Sequence, residues 1–244
     1  MSLPWYGVDD YLEFPSVDDS TDEGIVAVGG NLSPGVLLSA YRQGIFPWYN
    51  EGENILWWSP DPRFVLYTEK LKISKSMKKE IRKQKYNVVL DNSFEEVIKK
   101  CRDSVRIGQG GTWITDDMVN GYCELNRQGW AHSVEVLDHG TLVAGLYGIS
   151  LGKSFFGESM FTKISNGSKI GFILLTLFLK DKGFSIIDCQ AHTKHLESLG
   201  AEQITRKDFY LELNNGLSFP DFRGNWNIIF PDFPDSSGYR TIVK

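Results

Sequence analysis

Gly157-Glu158-Ser159-Met160-Phe161 and Ile186-Ile187-Asp188-Cys189-Gln190 each place acid or amide side chains inside an apolar run. Runs of that kind form strands, and alternate side chains of a strand share a face. Glu158 and Met160 are therefore expected on one face, Asp188 and Gln190 together on one face, and Cys189 on the opposite one. Burying a carboxylate is costly unless it is paired. Two carboxylates and an amide in such positions therefore need a reason: a partner in the core, or a site. A Cys189 thiolate with His192 or His195 as its base is a further reading. Strand alternation turns Cys189 away from Asp188 and Gln190 and argues against it.

Other elements must position these segments. Residues 1–63 read as a small N-terminal domain, rich in Pro, Gly and Trp. One helix there is well punctuated, with Ser33 to cap it, Pro34 in its first turn and Gly44 beyond its end. Pro60 and Pro62 demand an extended connection, and the domain boundary is placed there. Residues 64–244 read as a catalytic domain with a C-terminal tail. Phe64 to Tyr67 and Tyr86 to Leu90 are expected strands, separated by a basic helix from Ser74 to Gln84. Ser93-Phe94-Glu95-Glu96 has the form of a capping box opening a helix to about Arg102. Thr115 or Asp116 caps the next helix, which ends at Gly129. Strands follow over His132 to Leu137, Thr141 to Ser150 and Ser154 to Phe161, with turns at Asp138-His139-Gly140 and Gly152-Lys153. An apolar helix starts at Asn166 or Ser168 and ends at Gly183. Phe184 to Cys189 is a strand, His192 to Leu199 a short helix, and Phe209 to Leu213 reads as the last strand. The order makes an α+β protein, a mixed sheet with helices packed on it. Beyond Asn214 four aromatics (Phe219, Phe222, Trp226 and Phe230) imply that the tail packs against the body.

The totals exclude several classes. An apolar share of 41% and a charged share of 23% are ordinary for a globular protein. Cys101, Cys123 and Cys189 lack metal-ligand spacing, and their odd number argues against a disulfide framework, so a cytoplasmic location is expected. Met1 to Asp10 has neither the basic residues nor the apolar run of a signal peptide. Gly171 to Leu179 is too short for a membrane span. A net charge of −5 hides a local excess: eight Lys or Arg between Lys70 and Lys85, against Glu80 alone.

Seven motifs in order carry a resemblance. They are Val28-Gly-Gly-Asn-Leu-Ser-Pro34, Gly44-Ile-Phe-Pro-Trp48, Leu56-Trp-Trp-Ser-Pro-Asp-Pro-Arg63, Gly111-Thr-Trp-Ile-Thr115, Gly157-Glu-Ser-Met-Phe161, Asp188-Cys-Gln190 and Ser198-Leu-Gly-Ala201. Together, from about Phe14 to Asp208, the chain resembles the bacterial leucyl/phenylalanyl-tRNA–protein transferases. The resemblance implies an N-acetyltransferase-like (GNAT-type) fold after the N-terminal domain. It also implies an activity: moving Leu or Phe, less well Met, from aminoacyl-tRNA to proteins that begin with Arg or Lys, which marks them for degradation. The implied partners are that aminoacyl-tRNA and those acceptor proteins. The enzyme is expected to work as a monomer, with no membrane, metal or cofactor, because the ester is already activated.

The same resemblance implies roles for residues. Asp188 and Gln190 would stand at the reaction centre and Glu158 would contact the α-amino group of the incoming amino acid. An amide is a feeble base, so the role that fits Gln190 is orienting the amine, with Asp188 holding Gln190 or attracting the cationic acceptor. Leu146, Phe155, Met160, Leu175 and Ile187 are candidates for the apolar side-chain pocket. Trp48 and Trp113 are candidates for stacking the terminal adenosine, with Trp57 and Trp58 left to a domain-interface core. Lys75, Lys79, Arg82 and Lys83 lie at neighbouring positions of a helix and would meet the phosphates of the tRNA acceptor arm.

Two further alternatives use the same residues differently. An acyl-coenzyme A-dependent N-acyltransferase needs a Gln/Arg-x-x-Gly-x-Gly/Ala turn, and neither Gly167 to Gly171 nor Arg106 to Gly111 supplies its spacing. A non-catalytic tRNA-binding module would use the basic stretch and leave Glu158 and Asp188 without a purpose.

Overall fold

The computed structural model describes residues 4–104 and 112–244. Met1 to Leu3, the Arg106–Gly111 turn and the first glycine of the Gly111–Thr115 motif lie outside the described residues. Near the amino end, β1 (Ile25–Val28) leads to α1 (Pro34–Arg42), then β2 (Phe46–Pro47) and β3 (Leu56–Trp58). The three strands form an antiparallel sheet with β3 in the middle. Pro34 sits in the first turn of α1, and Gly44 just beyond its end has φ +68°, where glycine carries no steric cost. Ser33 does not cap α1 with its hydroxyl; it accepts the Tyr6 N–H instead and ties down the chain's first segment.

A second sheet begins at β4 (Arg63–Tyr67). After it come α2 (Lys75–Arg82), β5 (Asn87–Leu90), α3 (Phe94–Arg102), α4 (Asp116–Arg127), β6 (Ala131–Asp138), β7 (Thr141–Leu151) and β8 (Ser154–Thr162). Then follow α5 (Gly167–Asp181), β9 (Ile186–Gln190), α6 (Lys194–Glu197), β10 (Glu202–Ile204), α7 (Arg206–Leu217), α8 (Trp226–Ile229) and α9 (Ser237–Val243). The sheet order is β10-β4-β9-β8-β7-β6-β5. Among the described residues only β8 and β9 run parallel, joined by the crossover helix α5.

Two further sequence expectations are corrected. Phe209 to Leu213 is part of α7: Thr205 caps the helix by accepting the Asp208 N–H, and Phe209, Leu213 and Gly216 bury one face at helical spacing. The last strand is the short β10 before it. The capping box at Ser93 does not form either. Buried Glu135, reaching over from β6, accepts the Asn92 and Ser93 N–H groups, and Glu96 pairs with Lys100.

Apolar clusters cover both faces of the large sheet. One joins α1, α3 and α4 to Tyr147 and Phe156, and it runs without a break from Trp57 of β3 to Val65 of β4. The other gathers α2, α5 and the tail over Leu146, Phe155 and Ile187.

Candidate active site

The site is built where β8 and β9 part. Their pairing runs Ser154 to Ile186, Phe155 to Ile187 and Phe156 to Asp188, and the register ends there. Each strand carries an irregularity just beyond. In β8, Gly157 pairs with Gly148 and Ser159 with Tyr147, so Glu158 is an extra, bulged residue. Gly148 must lack a side chain, because a Cβ there would lie 2.2 Å from the Phe156 carbonyl oxygen. In β9, Gln190 pairs with Phe64 and Asp188 with Val65, so Cys189 is extra, and Gln190 takes φ +61°. Bulges next to functional sites re-aim side chains, and here they undo simple alternation. Glu158 turns to Tyr41 and Tyr122 of the first cluster, whereas Met160 packs with the second.

The gap opens into a cavity of about 760 Å³. Leu146, Phe155, Met160, Phe172, Ile187 and Cys189 make an apolar wall. Trp48, Trp58 and Trp113 also line it. Its wall carboxylates among the described residues are Glu158 and Glu23. Glu158 is held by three donors: the Tyr41 hydroxyl at 2.7 Å, the Tyr122 hydroxyl at 2.9 Å and the Gln190 amide N–H at 2.7 Å. Burial pushes the Glu158 carboxyl up to about 7, against the pull of those three hydrogen bonds. A carboxylate only accepts, so Gln190 must turn its NH₂ toward Glu158, which leaves its carbonyl oxygen facing elsewhere.

Asp188 stands behind this pair. It is fully buried and off the cavity wall. Its oxygens accept from Arg63 Nε at 2.9 Å and Arg63 Nη2 at 2.6 Å, and Oδ1 also accepts the Gln190 backbone N–H at 2.9 Å. The Arg63 guanidinium lies over the rings of Phe46 and Phe209, 4.7 and 4.5 Å from their centroids. Of the two roles expected of Asp188, holding Gln190 is the one this geometry favours: it accepts the Gln190 backbone N–H, and its charge is matched by Arg63.

Of the expected residues, Glu158, Gln190, Trp48, Trp113, Leu146, Phe155, Met160 and Ile187 share the one cavity. Leu175 does not line it; it is core on α5, with Phe172 one turn earlier at the wall. Trp57 is core, its ring edge-on to Phe14, but Trp58 lines the cavity 5.6 Å from Trp48. Cys189 does lie opposite to Asp188, yet that face is the cavity side. Burial and the Asp188 charge push its thiol far up, so no thiolate nucleophile forms there. Lys75, Lys79 and Arg82 sit on α2 and Lys83 caps its end, all off the cavity wall. Arg82 donates to the Ile242 carbonyl oxygen and Lys83 pairs with Glu80 at 2.5 Å.

Tyr41, Tyr122 and Arg63 were not singled out from sequence. Tyr41 and Tyr122 each occupy a buried helix face, where a tyrosine reads as core. Arg63 carried a usable signal: a cation opening an apolar strand needs a buried anion, and Asp188 is one.

An apolar cavity between parting strands, with a carboxylate–amide pair in its wall, has the make-up of an enzyme's substrate site. The sequence profile described as leucyl/phenylalanyl-tRNA protein transferase matches residues 65–214, and that of the family's N-terminal domain matches residues 30–61. This chain belongs to that family. Leucyl/phenylalanyl-tRNA–protein transferase of Flavobacterium johnsoniae is 52% identical over 81% of this chain and 93% of its own. The proteins of that name from Syntrophus aciditrophicus and Pseudomonas putida are each 50% identical, over 88% and 87% of this chain and 90% and 94% of theirs. Solved structures include a GCN5-related N-acetyltransferase-like protein from Streptococcus suis (TM-score 0.31, 18% identity, 59% of each chain). Another is L-PGS from Bacillus licheniformis (TM-score 0.39, 12% identity, 56% of this chain and 48% of that one).

Proposed function

We propose that this protein transfers Leu or Phe, less well Met, from aminoacyl-tRNA to the amino terminus of proteins beginning with Arg or Lys. It acts as a monomer in the cytoplasm, where charged tRNA is made, and its products are marked for degradation. The observation that carries the reading is the hydrogen bond from Gln190 to Glu158 in the wall of an apolar cavity. In this reading the aminoacyl side chain enters between Phe155, Met160, Phe172 and Ile187, and its α-amino group meets Glu158. Methionine on that wall adapts to Leu and Phe alike. Trp48 and Trp113 offer faces to the terminal adenosine.

The reaction forms a C–N bond between the acceptor amine and the carbonyl carbon. It breaks the C–O bond to the ribose, and one proton passes from the amine to the freed ribose oxygen. An α-amine with its ordinary pKa of about 7.7–8.0 is partly neutral at cellular pH. Holding it against the carbonyl can supply roughly 7–11 kcal/mol of the barrier. Gln190 does the holding: its NH₂ is committed to Glu158, so its carbonyl oxygen accepts an amine N–H. Arg63 and Asp188 position Gln190 through its backbone. The acceptor's cationic side chain needs an anion, and Glu158 is assigned to the donor's α-amino group. Glu23 is the remaining wall carboxylate among the described residues, exposed and kept ionised by backbone and Thr21 hydrogen bonds. We assign it to that side chain.

The test is transfer of labelled Phe or Leu from charged tRNA to a peptide starting with Arg, with isoleucyl-tRNA as the refused donor. Gln190→Ala is expected to lower the single-turnover rate by at least about tenfold while donor affinity is retained. A wild-type protein that transfers nothing overturns the reading, and binding of acetyl-coenzyme A in its place would favour the N-acyltransferase alternative.

A further inference from the structure

The tail beyond Leu217 lies outside the residues that the two family profiles match, yet one of its residues stands directly behind the cavity wall. Trp226 is fully buried. Its backbone N–H donates to Asp91 Oδ2 at 2.8 Å, and Nε1 donates to the Phe222 carbonyl oxygen at 2.8 Å. Its ring lies flat on His132, centroids 3.8 Å apart at 12°. His132 is pinned in turn, with Nδ1 2.8 Å from the same Asp91 oxygen. The indole is therefore fixed at its backbone, at its nitrogen and on one face.

Phe155 packs against this fixed indole, ring centroids 6.1 Å apart. Phe155 is itself 1% exposed and forms part of the apolar wall of the cavity. Its ring has substrate space in front and Trp226 behind. Close-packed aromatic layers transmit volume changes, because a void behind a ring lets it recede. We infer that Trp226 is a positioning residue that sets the depth of the aminoacyl side-chain pocket by bracing Phe155. This deepens the proposed function and rests on the reading of the cavity as the aminoacyl site. The discrimination between Phe and Leu is thus built partly from a segment that touches neither substrate.

The experiment measures kcat/KM for phenylalanyl-tRNA and leucyl-tRNA with the full chain. Trp226→Phe removes volume behind Phe155, and the Phe-to-Leu ratio is expected to rise by about tenfold, the scale of small volume changes in apolar pockets. Phe155→Ala removes the ring that transmits the change. Adding Trp226→Phe to it is expected to leave the ratio where Phe155→Ala set it, the coupling expected of residues in contact. Phe230→Ala opens space on another side of Trp226, 5.8 Å away by centroids, at a half-buried position. It is expected to move the ratio the same way by a smaller factor, and it carries the test if Trp226→Phe does not fold. An unchanged ratio in folded variants, or additive effects in the double variant, overturns the inference and leaves the transferase reading intact. Failure of the wild type to use either donor would instead strike the proposed function.

Discussion

Arg63 and Asp188 grip each other through two hydrogen bonds, 2.9 and 2.6 Å long, with both side chains shut away from water. The pair joins β4 to β9 at the point where Gln190 leaves the strand with φ +61°. Removing one partner strands a buried charge, at a cost of about 3–5 kcal/mol. Arg63→Met and Asp188→Leu are each expected to lower thermal stability severely. Combining them is expected to recover much of it, since apolar residues can replace a buried ion pair. Turnover is expected to stay low in the double variant, because Gln190 has lost the acceptor of its backbone N–H. Melting curves and single-turnover rates check this; a double variant with wild-type turnover would show that the pair serves stability alone.

On the proposed reading, Glu158 is expected to make donor binding depend on pH. With its carboxyl near 7 when the site is empty, it is more fully ionised as pH rises through that value, and the ionised form is the one that attracts an ammonium. The KM for aminoacyl-tRNA is therefore expected to fall between pH 6 and 8. In Glu158→Gln this dependence disappears, and KM stays high throughout.

The same titration acts on stability with the opposite sign. Glu135 is also pushed up to about 7, by burial above all. Its folded-state pKa lies above its unfolded one, so its protonated form is favoured by folding. That contribution is full below about 4.5, and it is lost as pH rises through 7, in the manner of linkage. Glu158 adds a term of the same sign. The melting temperature is expected to drop from pH 6 to 8 as far as these groups govern it, and Glu135→Gln is expected to flatten the slope. A slope unaltered in that variant would assign the pH dependence elsewhere.

Glu23 is expected to act on the acceptor alone. Glu23→Gln should raise the KM for a peptide starting with Arg by about five- to tenfold, the worth of one charge-assisted contact, while the KM for aminoacyl-tRNA stays put. Equal changes for a peptide starting with Ala would remove the assignment.

On α2, Met77 and Ile81 face the core, while Lys75, Lys78 and Lys79 are exposed and make no ion pair with a described residue. Affinity for aminoacyl-tRNA is expected to fall steeply with salt. Each lysine that meets a phosphate should contribute about 0.7–0.9 to the log–log slope. Neutralising the three is expected to flatten that slope without altering the Phe-to-Leu ratio; an unchanged slope would move the RNA path to another face.

Much of this protein is decided locally and is legible in the chain. Pro34 with Gly44 and the Asp138-His139-Gly140 turn set their elements by backbone preference, Thr115 caps α4 by accepting the Met118 N–H, and β6, β7 and β8 follow from runs of apolar residues between turns. Glu158 and Gln190 announce a site because polar groups in apolar strands need partners. Phe209 misled because a pair of apolar residues four apart suits a short strand or a helix, and only packing on the first cluster chooses. Tertiary structure alone decided the faces. Two bulges turned Glu158 away from Met160 and put Gln190 on the cavity side with Cys189, against the alternation that a regular strand imposes, since a bulge depends on a partner strand that the local sequence does not contain. Long-range pairing likewise brought Arg63 to Asp188, Tyr41 and Tyr122 to Glu158, and Trp226 to Phe155. Each of those contacts joins residues far apart in the chain, so its cause is the shared interior and not the local sequence.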